Sequence, residues 1–307
     1  MNSIFDELYR LVQPRVTHCV WVLSDLQQSD PVNARKCMET AMADYRQLGT
    51  PADRIWYLGD SIESSNLDHL QQMAKMQQEA FLSLDVPFTY VLGNHDFEYM
   101  RRFSEPVSPF YDLVKATPGW HTTNDLTDLY FTEQLGDFTV FFLSDHAAND
   151  GSWCTGNGMI FGNASAYPYT QADADALREK IAAVPGPVIT ASHYAFPGGN
   201  RSFDAEIIGK LLPLPSNVRL HLHGHAHIGD YKWAKQDAFR RIANVDWHDI
   251  PQVDVSSLEN IRSRFCRSIL LHIYDNGTFG IFFRDHDHNR FTEAYFPAAE
   301  NYPRFDG

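Results

Sequence analysis

Seven polar residues, each closing or following a short apolar run, could do chemistry together: Asp25, Gln27, Asp60, Asn94, His193, His225 and His227. Carboxylate oxygen, amide oxygen and neutral imidazole share one use. All bind borderline divalent metals such as Mn, Fe, Co and Zn. A structural zinc is closed by four ligands, so seven groups are too many for one and suit two metals sharing a bridging carboxylate. Taken singly, several have plainer readings. Asp25 and Asp60 could cap helices that follow strands, and Asn94 could be a turn residue. Their joint presence in "SDLQ", "YLGD", "VLGNHD", "ASHY" and "LHGHAH" favours metal.

The elements that must position these groups are readable as strand-like runs that stop at polar clusters. "HCVWVLSD" ends at Asp25, "RIWYLGD" at Asp60 and "PFTYVLGNHD" at Asn94, His95 and Asp96. "DFTVFFLSDH" ends at Asp145, "GPVITASHY" at His193 and "VRLHLHGHAH" at His225 and His227. Continuous apolar runs of this kind predict strands buried on both faces. Helical patterns lie between them: "PVNARKCMETAMADYRQLG", "NLDHLQQMAKMQQEAFLSLD" and "TQADADALREKIAAV". The first opens on proline and closes on Gly49, which are start and stop signals. The alternation predicts crossover connections and a layered α/β domain. Ligands in open α/β sheets gather at the carboxyl ends of strands, where these residues stand.

After residue 250 the pattern changes to "PQVDVSSLE", "RSILLHIYDNGTFGIFFRDHDH" and "RFTEAYF", which predict antiparallel strands. Asn276-Gly277 is a strong hairpin signal. We read a mixed-sheet end to one domain spanning 1–307, with its core at about 16–285. The longest irregular stretch is 146–169. A loop of that length in a compact domain is often functional, and its place after Asp145 makes it a candidate lid.

Composition bounds the partners. Net charge is −14 over 307 residues, so the surface repels a phosphate backbone and no nucleic-acid polymer is expected. Bound cations could still reverse the local field for a small phosphate. The start, "MNSIFDELYRLVQPRV", lacks the apolar centre of an export signal, and no run approaches a bilayer span. Cys19, Cys37, Cys154 and Cys266 are widely spaced, which favours reduced buried thiols over a disulfide framework. The default expectation is a cytoplasmic protein without membrane attachment.

The ordered blocks D-x-Q, G-D, G-N-H-D, a lone His and G-H-x-H resemble the calcineurin-like metallophosphoesterase family. They run from Asp25 to His227, about two thirds of the chain. The resemblance implies a four-layer α/β/β/α sandwich with mixed β-sheets. It implies that Asp25, Gln27, Asp60 and His227 hold one divalent metal ion, that Asp60 bridges, and that Asn94, His193 and His225 complete a second. His95 then matches the family's catalytic histidine, facing the leaving-group or phosphoryl oxygens, and Asp96 the acid that orients it. A bridging hydroxide would attack phosphorus, with His95 assisting the departing alkoxide. One position departs from the common pattern, because most members carry histidine where this chain has Gln27. A Gln carbonyl is a hard, neutral oxygen donor, which shifts preference from Zn toward Mn²⁺, with Fe, Zn or Co as alternatives. The same D-x-Q is similar to the manganese-dependent ADP-ribose/CDP-alcohol diphosphatase branch, as is "GNHDFEYMRR".

Other polar residues are weaker candidates. Arg101, Arg102, Asn200 and Arg201 follow ligand blocks closely and suit phosphate recognition, or surface ion pairs. Asp145 and His146 end a strand without matching a block, as substrate contacts or as loop polarity. His221 and His223 alternate with the GHxH ligands and read as strand or supporting residues, and "RDHDHNR" as a solvated polar segment. The leading function is hydrolysis of a small organic phosphodiester or phosphoanhydride. Phosphomonoester or phosphoprotein hydrolysis is the alternative, followed by a catalytically silent binding scaffold.

Overall fold

The computed structural model describes residues 14–49, 51–98, 103–105, 107–145, 169–196, 208–227, 239–242, 250–261, 263 and 265–296. In chain order the elements are β1 (Val16–Leu23), α1 (Pro31–Gln47), β2 (Arg54–Leu58), α2 (Leu67–Leu82) and β3 (Phe88–Val91). Next come α3 (His95–Glu98), α4 (Pro109–Ala116), β4 (Trp120–His121), β5 (Tyr130–Leu135), β6 (Phe138–Leu143) and α5 (Gln171–Ala182). The remainder are β7 (Val188–Ser192), β8 (Val218–His223), β9 (Phe239–Ile242), β10 (Ile250–Asp254), β11 (Arg267–Tyr274), β12 (Phe279–Asp285) and β13 (Arg290–Tyr295).

Why the strand runs are apolar throughout is clear from their two faces. Successive strand side chains point to opposite sides. Val20 and Val22 of β1, with Trp56 and Leu58 of β2, enter a cluster lying between two sheets. Their neighbours Trp21, Leu23, Ile55 and Tyr57 enter another, built against α1, α2 and α4. A third cluster sets Phe141, Leu143 and Val188 against α5. Three apolar layers therefore separate four structural ones, α/β/β/α, as the resemblance implied.

The first sheet has the order β13-β12-β11-β1-β2-β3-β4, and the second β5-β6-β7-β8-β10-β9. β1 to β4 run parallel, as do β6, β7, β8 and β10; the outer strands β11, β12, β13, β5 and β9 are antiparallel to their neighbours. Contact between the sheets includes Trp56 edge-on to Phe142, with centroids 5.2 Å apart. Such aromatic pairs contribute about 1 kcal/mol beyond area burial.

Local signals hold the helices in place. Asp30 accepts the Val32 N–H at 3.0 Å ahead of Pro31, and Gly49 beyond the far end takes φ +66°, a glycine stop. Thr170 and Asp173 form a reciprocal capping box on α5, which satisfies two otherwise orphaned N–H groups. Gly277 turns at φ +75° in the β11–β12 hairpin, its N–H donating to Tyr274 O at 3.0 Å.

Two expectations need correction. β10 is not part of the antiparallel C-terminal set; it runs parallel to β8 in the second sheet. Nor is "RDHDHNR" solvated throughout: Asp287 to Arg290 are exposed, but Arg284, Asp285 and His286 are buried. Arg284 donates to both Asp44 oxygens, from Nε at 2.8 Å and Nη2 at 2.5 Å, and His286 Nδ1 lies 2.8 Å from Asp44 Oδ2. Burial alone would push the Asp44 carboxyl up, but its Arg284 and His286 bonds hold it at about 2. The charges are buried because α1 supplies an opposite one. Cys19, Cys37 and Cys266 are buried free thiols, as expected; Cys154 lies outside the described residues. Among the described residues no helix is long and apolar enough to cross a membrane.

Candidate metal centre

The predicted ligands stand one to four residues past the parallel strands β1, β2, β3, β7 and β8. Asp25, Gln27, Asp60 and Asn94 come from the first sheet, and His193, His225 and His227 from the second. They meet across the seam. His193 Nε2 lies 3.1 Å from Asp60 Oδ2 and 3.2 Å from Asn94 Oδ1. His227 Nε2 lies 3.1 Å from Asp25 Oδ1 and 3.3 Å from Gln27 Nε2. Asp60, His193 and His225 offer ligand atoms that all lie within 4.8 Å of one another.

The backbone bends sharply to bring them there. Asp25, Asp60, His225 and His227 all adopt left-handed conformations, with φ +57°, +55°, +65° and +50°. Each such turn costs on the order of 1 kcal/mol for a residue with a Cβ. Hydrogen bonds hold the turns. Asp25 N–H donates to Gly59 O at 3.0 Å, Gly224 N–H to His193 O at 3.1 Å, and His225 N–H to Asp25 Oδ2 at 2.9 Å. Glycine is required where the loops nearly touch: a Cβ on Gly224 would stand 2.6 Å from Asp25 Oδ2, and one on Gly59 the same distance from His193 Nδ1.

The His193 and His227 imidazoles turn Nε2 inward. His193 Nδ1 is 2.7 Å from the Leu58 carbonyl and His227 Nδ1 is 3.0 Å from Glu259 Oε1. A carbonyl or carboxylate there fixes the proton on Nδ1 and aims Nε2 at the acids. Burial pushes the His193 imidazole down, yet the Asp60 carboxylate raises it well above the ordinary range. Burial likewise opposes His227, and Asp25 with Glu259 lifts it to about 10. Asp60 and Asp25 stay below the usual carboxylate range despite burial, through His193 and His227 respectively. A buried pair of carboxylates that enforces positive charge around itself is an environment suited to cations. The donor set of hard oxygens and imidazoles fits borderline divalent metals, so the residues fit the group.

His95 sits at the rim, its side chain 14% exposed. Its N–H donates to Asp60 Oδ1 at 2.8 Å, and its Nε2 is 4.0 Å from Asp60 Oδ2. The expected pairing with Asp96 is corrected by the structure. Asp96 Oδ2 accepts the N–H groups of Gly93 at 2.8 Å and Asp60 at 3.1 Å, and Oδ1 accepts the Ser61 and Ser108 hydroxyls. Neighbouring residues on a helix diverge by about 100°, so at the start of α3 the two side chains part. Asp96 positions the Asp60 loop, while the carboxylate facing His95 Nδ1 is that of Glu63, at 3.7 Å.

Asp145 is fully buried and accepts the Tyr194 N–H at 2.6 Å, bracing the turn that carries His193. His221 and His223 occupy buried positions on β8, beside Thr190 and Asp254, as strand residues. Arg101, Arg102, His146, Asn200 and Arg201 lie outside the described residues, as does 146–168 of the candidate lid. Sequence reasoning missed Glu259 and Glu63. Glu259 stands beyond the one to four residues past a strand that mark the other groups, since β10 ends at Asp254.

A family model for calcineurin-like phosphoesterases matches residues 19–229, which include every ligand named above. No curated protein sequence matches the chain. Among solved structures, a dimetal phosphatase from Danio rerio is similar in fold, with a TM-score of 0.60 at 12% identity, covering 88% of this chain and 96% of the other. A purple acid phosphatase from yellow lupin (Lupinus luteus) seeds gives 0.55 at 12% identity, covering 92% of this chain and 54% of its own. At such identities the likeness is one of fold. The family match spans well over half of the chain and closes on the residues that meet at the seam: this chain belongs to the calcineurin-like phosphoesterase family, whose members are metal-dependent phosphohydrolases.

Proposed function

We propose that this chain hydrolyses a small organic phosphodiester or phosphoanhydride. In this reading Asp25, Gln27, Asp60 and His227 hold one divalent cation, and Asp60, Asn94, His193 and His225 the other. The carrying observation is the convergence of Asp60, His193 and His225 within 4.8 Å, with His95 alongside Asp60. Two bound cations supply a lowered water pKa and positive charge for phosphoryl oxygens. The chain's own residues do the rest. Asn94 and His193 meet at 3.2 Å and define one wall. Asp60 fixes the His95 main chain, so that its imidazole stands at the rim, where a leaving oxygen could take a proton from Nε2 or be stabilised by it. Glu63 Oε2 faces the other ring nitrogen, Nδ1, at 3.7 Å. Gln27 sets its amide group beside His227, with Nε2 at 3.3 Å from the ring, and the neutral oxygen of that amide, as a cation ligand, favours Mn²⁺ over Zn²⁺.

A metal-resolved substrate panel tests this reading. Bis-aryl phosphodiester, aryl phosphomonoester, cyclic nucleotides and ADP-ribose are each assayed with Mn²⁺, Zn²⁺, Fe²⁺ and Mg²⁺. Diester or anhydride turnover led by Mn²⁺ is expected. A clear preference for the monoester moves the reaction to phosphomonoester hydrolysis, and inertness with every metal sinks the enzyme reading.

A further inference from the structure

We infer that Glu259 is a positioning residue for the cation subsite of Asp25, Gln27 and His227; the inference rests on the cation-binding role proposed above for His227. Glu259 is fully buried, and its Oε1 lies 3.0 Å from His227 Nδ1. The carboxylate is itself held: Oε2 accepts the Ile261 N–H at 2.6 Å and Oε1 the Ser263 N–H at 3.3 Å. Its main chain is tied to the other ligand. Leu258 N–H donates to Ser24 O at 3.0 Å and Glu259 N–H to Asp25 O at 3.2 Å. One loop after β10 therefore fixes the main chain of Asp25 and the ring of His227 together.

The chemistry follows from this geometry. A fixed carboxylate at Nδ1 selects the Nδ1–H tautomer, leaves the Nε2 lone pair as the cation-facing atom and raises its basicity. That matters at this subsite because Gln27 is uncharged, and an amide oxygen donates less than an imidazole. Glu259 thus brings a negative charge to the subsite from behind His227. It is not a ligand; it acts through the ring it holds. Removing such a partner typically weakens metal binding by 10–100-fold.

The test compares the full-length wild type with Glu259→Gln, which keeps the side chain's size. Metal-free proteins are titrated with MnCl₂ by calorimetry, and the tautomer of His227 is read by long-range ¹H–¹⁵N NMR on the Zn²⁺-loaded proteins, zinc being diamagnetic. The expected result is two sites in the wild type, with one weakened roughly 10–100-fold in Glu259→Gln and the other nearly unchanged. The wild-type His227 should carry its proton on Nδ1. That last measurement needs no variant, so a misfolded Glu259→Gln does not protect the inference: a proton on Nε2 overturns it. Equal weakening of both sites, or unchanged uptake, also overturns it while leaving the two-cation reading standing. A wild type that takes up no divalent cation overturns both.

Discussion

Replacing Gly93 with alanine tests whether the spacing between two loops controls the site. A Cβ built on Gly93 would stand 2.8 Å from Cγ of Asp60, and it also meets the Asp60 main-chain nitrogen. Ordinary contact begins near 3.4 Å, and Asp60 Oδ1 and the Asp60 main-chain nitrogen come closer to that Cβ than Cγ does, so the loops must part by roughly 1 Å. Neither can yield by swinging a flexible side-chain end. The Asp60 and Gly93 N–H groups donate to the same Asp96 oxygen, at 3.1 and 2.8 Å. Separating them weakens that clamp and displaces Asp60, the ligand proposed above to be shared. Overpacking of this kind costs about 1–3 kcal/mol, and a misplacement approaching 1 Å costs on the order of 100-fold in rate. Gly93→Ala should therefore remain folded, with kcat/KM lowered about 10–100-fold and weaker Mn²⁺ uptake at both sites, because Asp60 is proposed to serve both. Steady-state kinetics with the best substrate of the panel, calorimetric metal titration and thermal melting read the three effects. Wild-type kcat/KM and metal affinity in a folded Gly93→Ala protein would refute the argument that this contact sets the ligand geometry.

Other outcomes follow from the same structure. His95→Ala should keep both Mn²⁺ ions by calorimetry yet lose about 10²–10⁴-fold in turnover; near wild-type rates in the fully metallated variant remove His95 from the chemistry. Gln27→His exchanges a neutral oxygen for an imidazole, so competitive titration should show the Zn²⁺/Mn²⁺ affinity ratio rising severalfold; an unchanged ratio means Gln27 does not touch the cation. Asp44 lies at about 2 against an ordinary 3.8, which corresponds to about 2 kcal/mol. Its folded value is depressed, so this stabilisation is fully present above about pH 4 and is lost as pH falls toward 2. Urea titrations from pH 7 to 2 should show Asp44→Asn less stable at neutral pH and missing that component of the acid loss; parallel curves for both proteins would remove the ion pair as its source.

Which parts were legible in sequence has a physical pattern. Asp25, Asp60, Asn94, His193 and His225 could be found because strand ends are chemically marked, with an apolar run stopping abruptly at a ligand-type residue. The first helix announced its start by Pro31 and its stop by Gly49, whereas the capping box at Thr170 emerged only in the structure. What could not be read depends on the partner across space. Nothing local says that Asp96 folds back onto Gly93 while Glu63 turns toward His95. Arg284 and His286 look solvated until Asp44 is placed over them. β10 resembles the antiparallel strands after it, and only its pairing with β8 shows that it belongs to the other sheet. The left-handed turns at Asp25, Asp60, His225 and His227 were hidden for the same reason. The hydrogen bonds that stabilise them run mostly between chain segments far apart in sequence.

The layer between the sheets gives the site one further property. Asp25 and Asp60 belong to one sheet and His193, His225 and His227 to the other, while Trp56 and Phe142 meet edge-on between them. Face-packed sheets stand roughly 10 Å apart, at a distance set by such side chains. The apolar middle layer is therefore a gauge, and its thickness sets how far the two halves of the ligand set stand from each other. A methylene deleted from that layer would act on the cations without touching them, as a change in calibration.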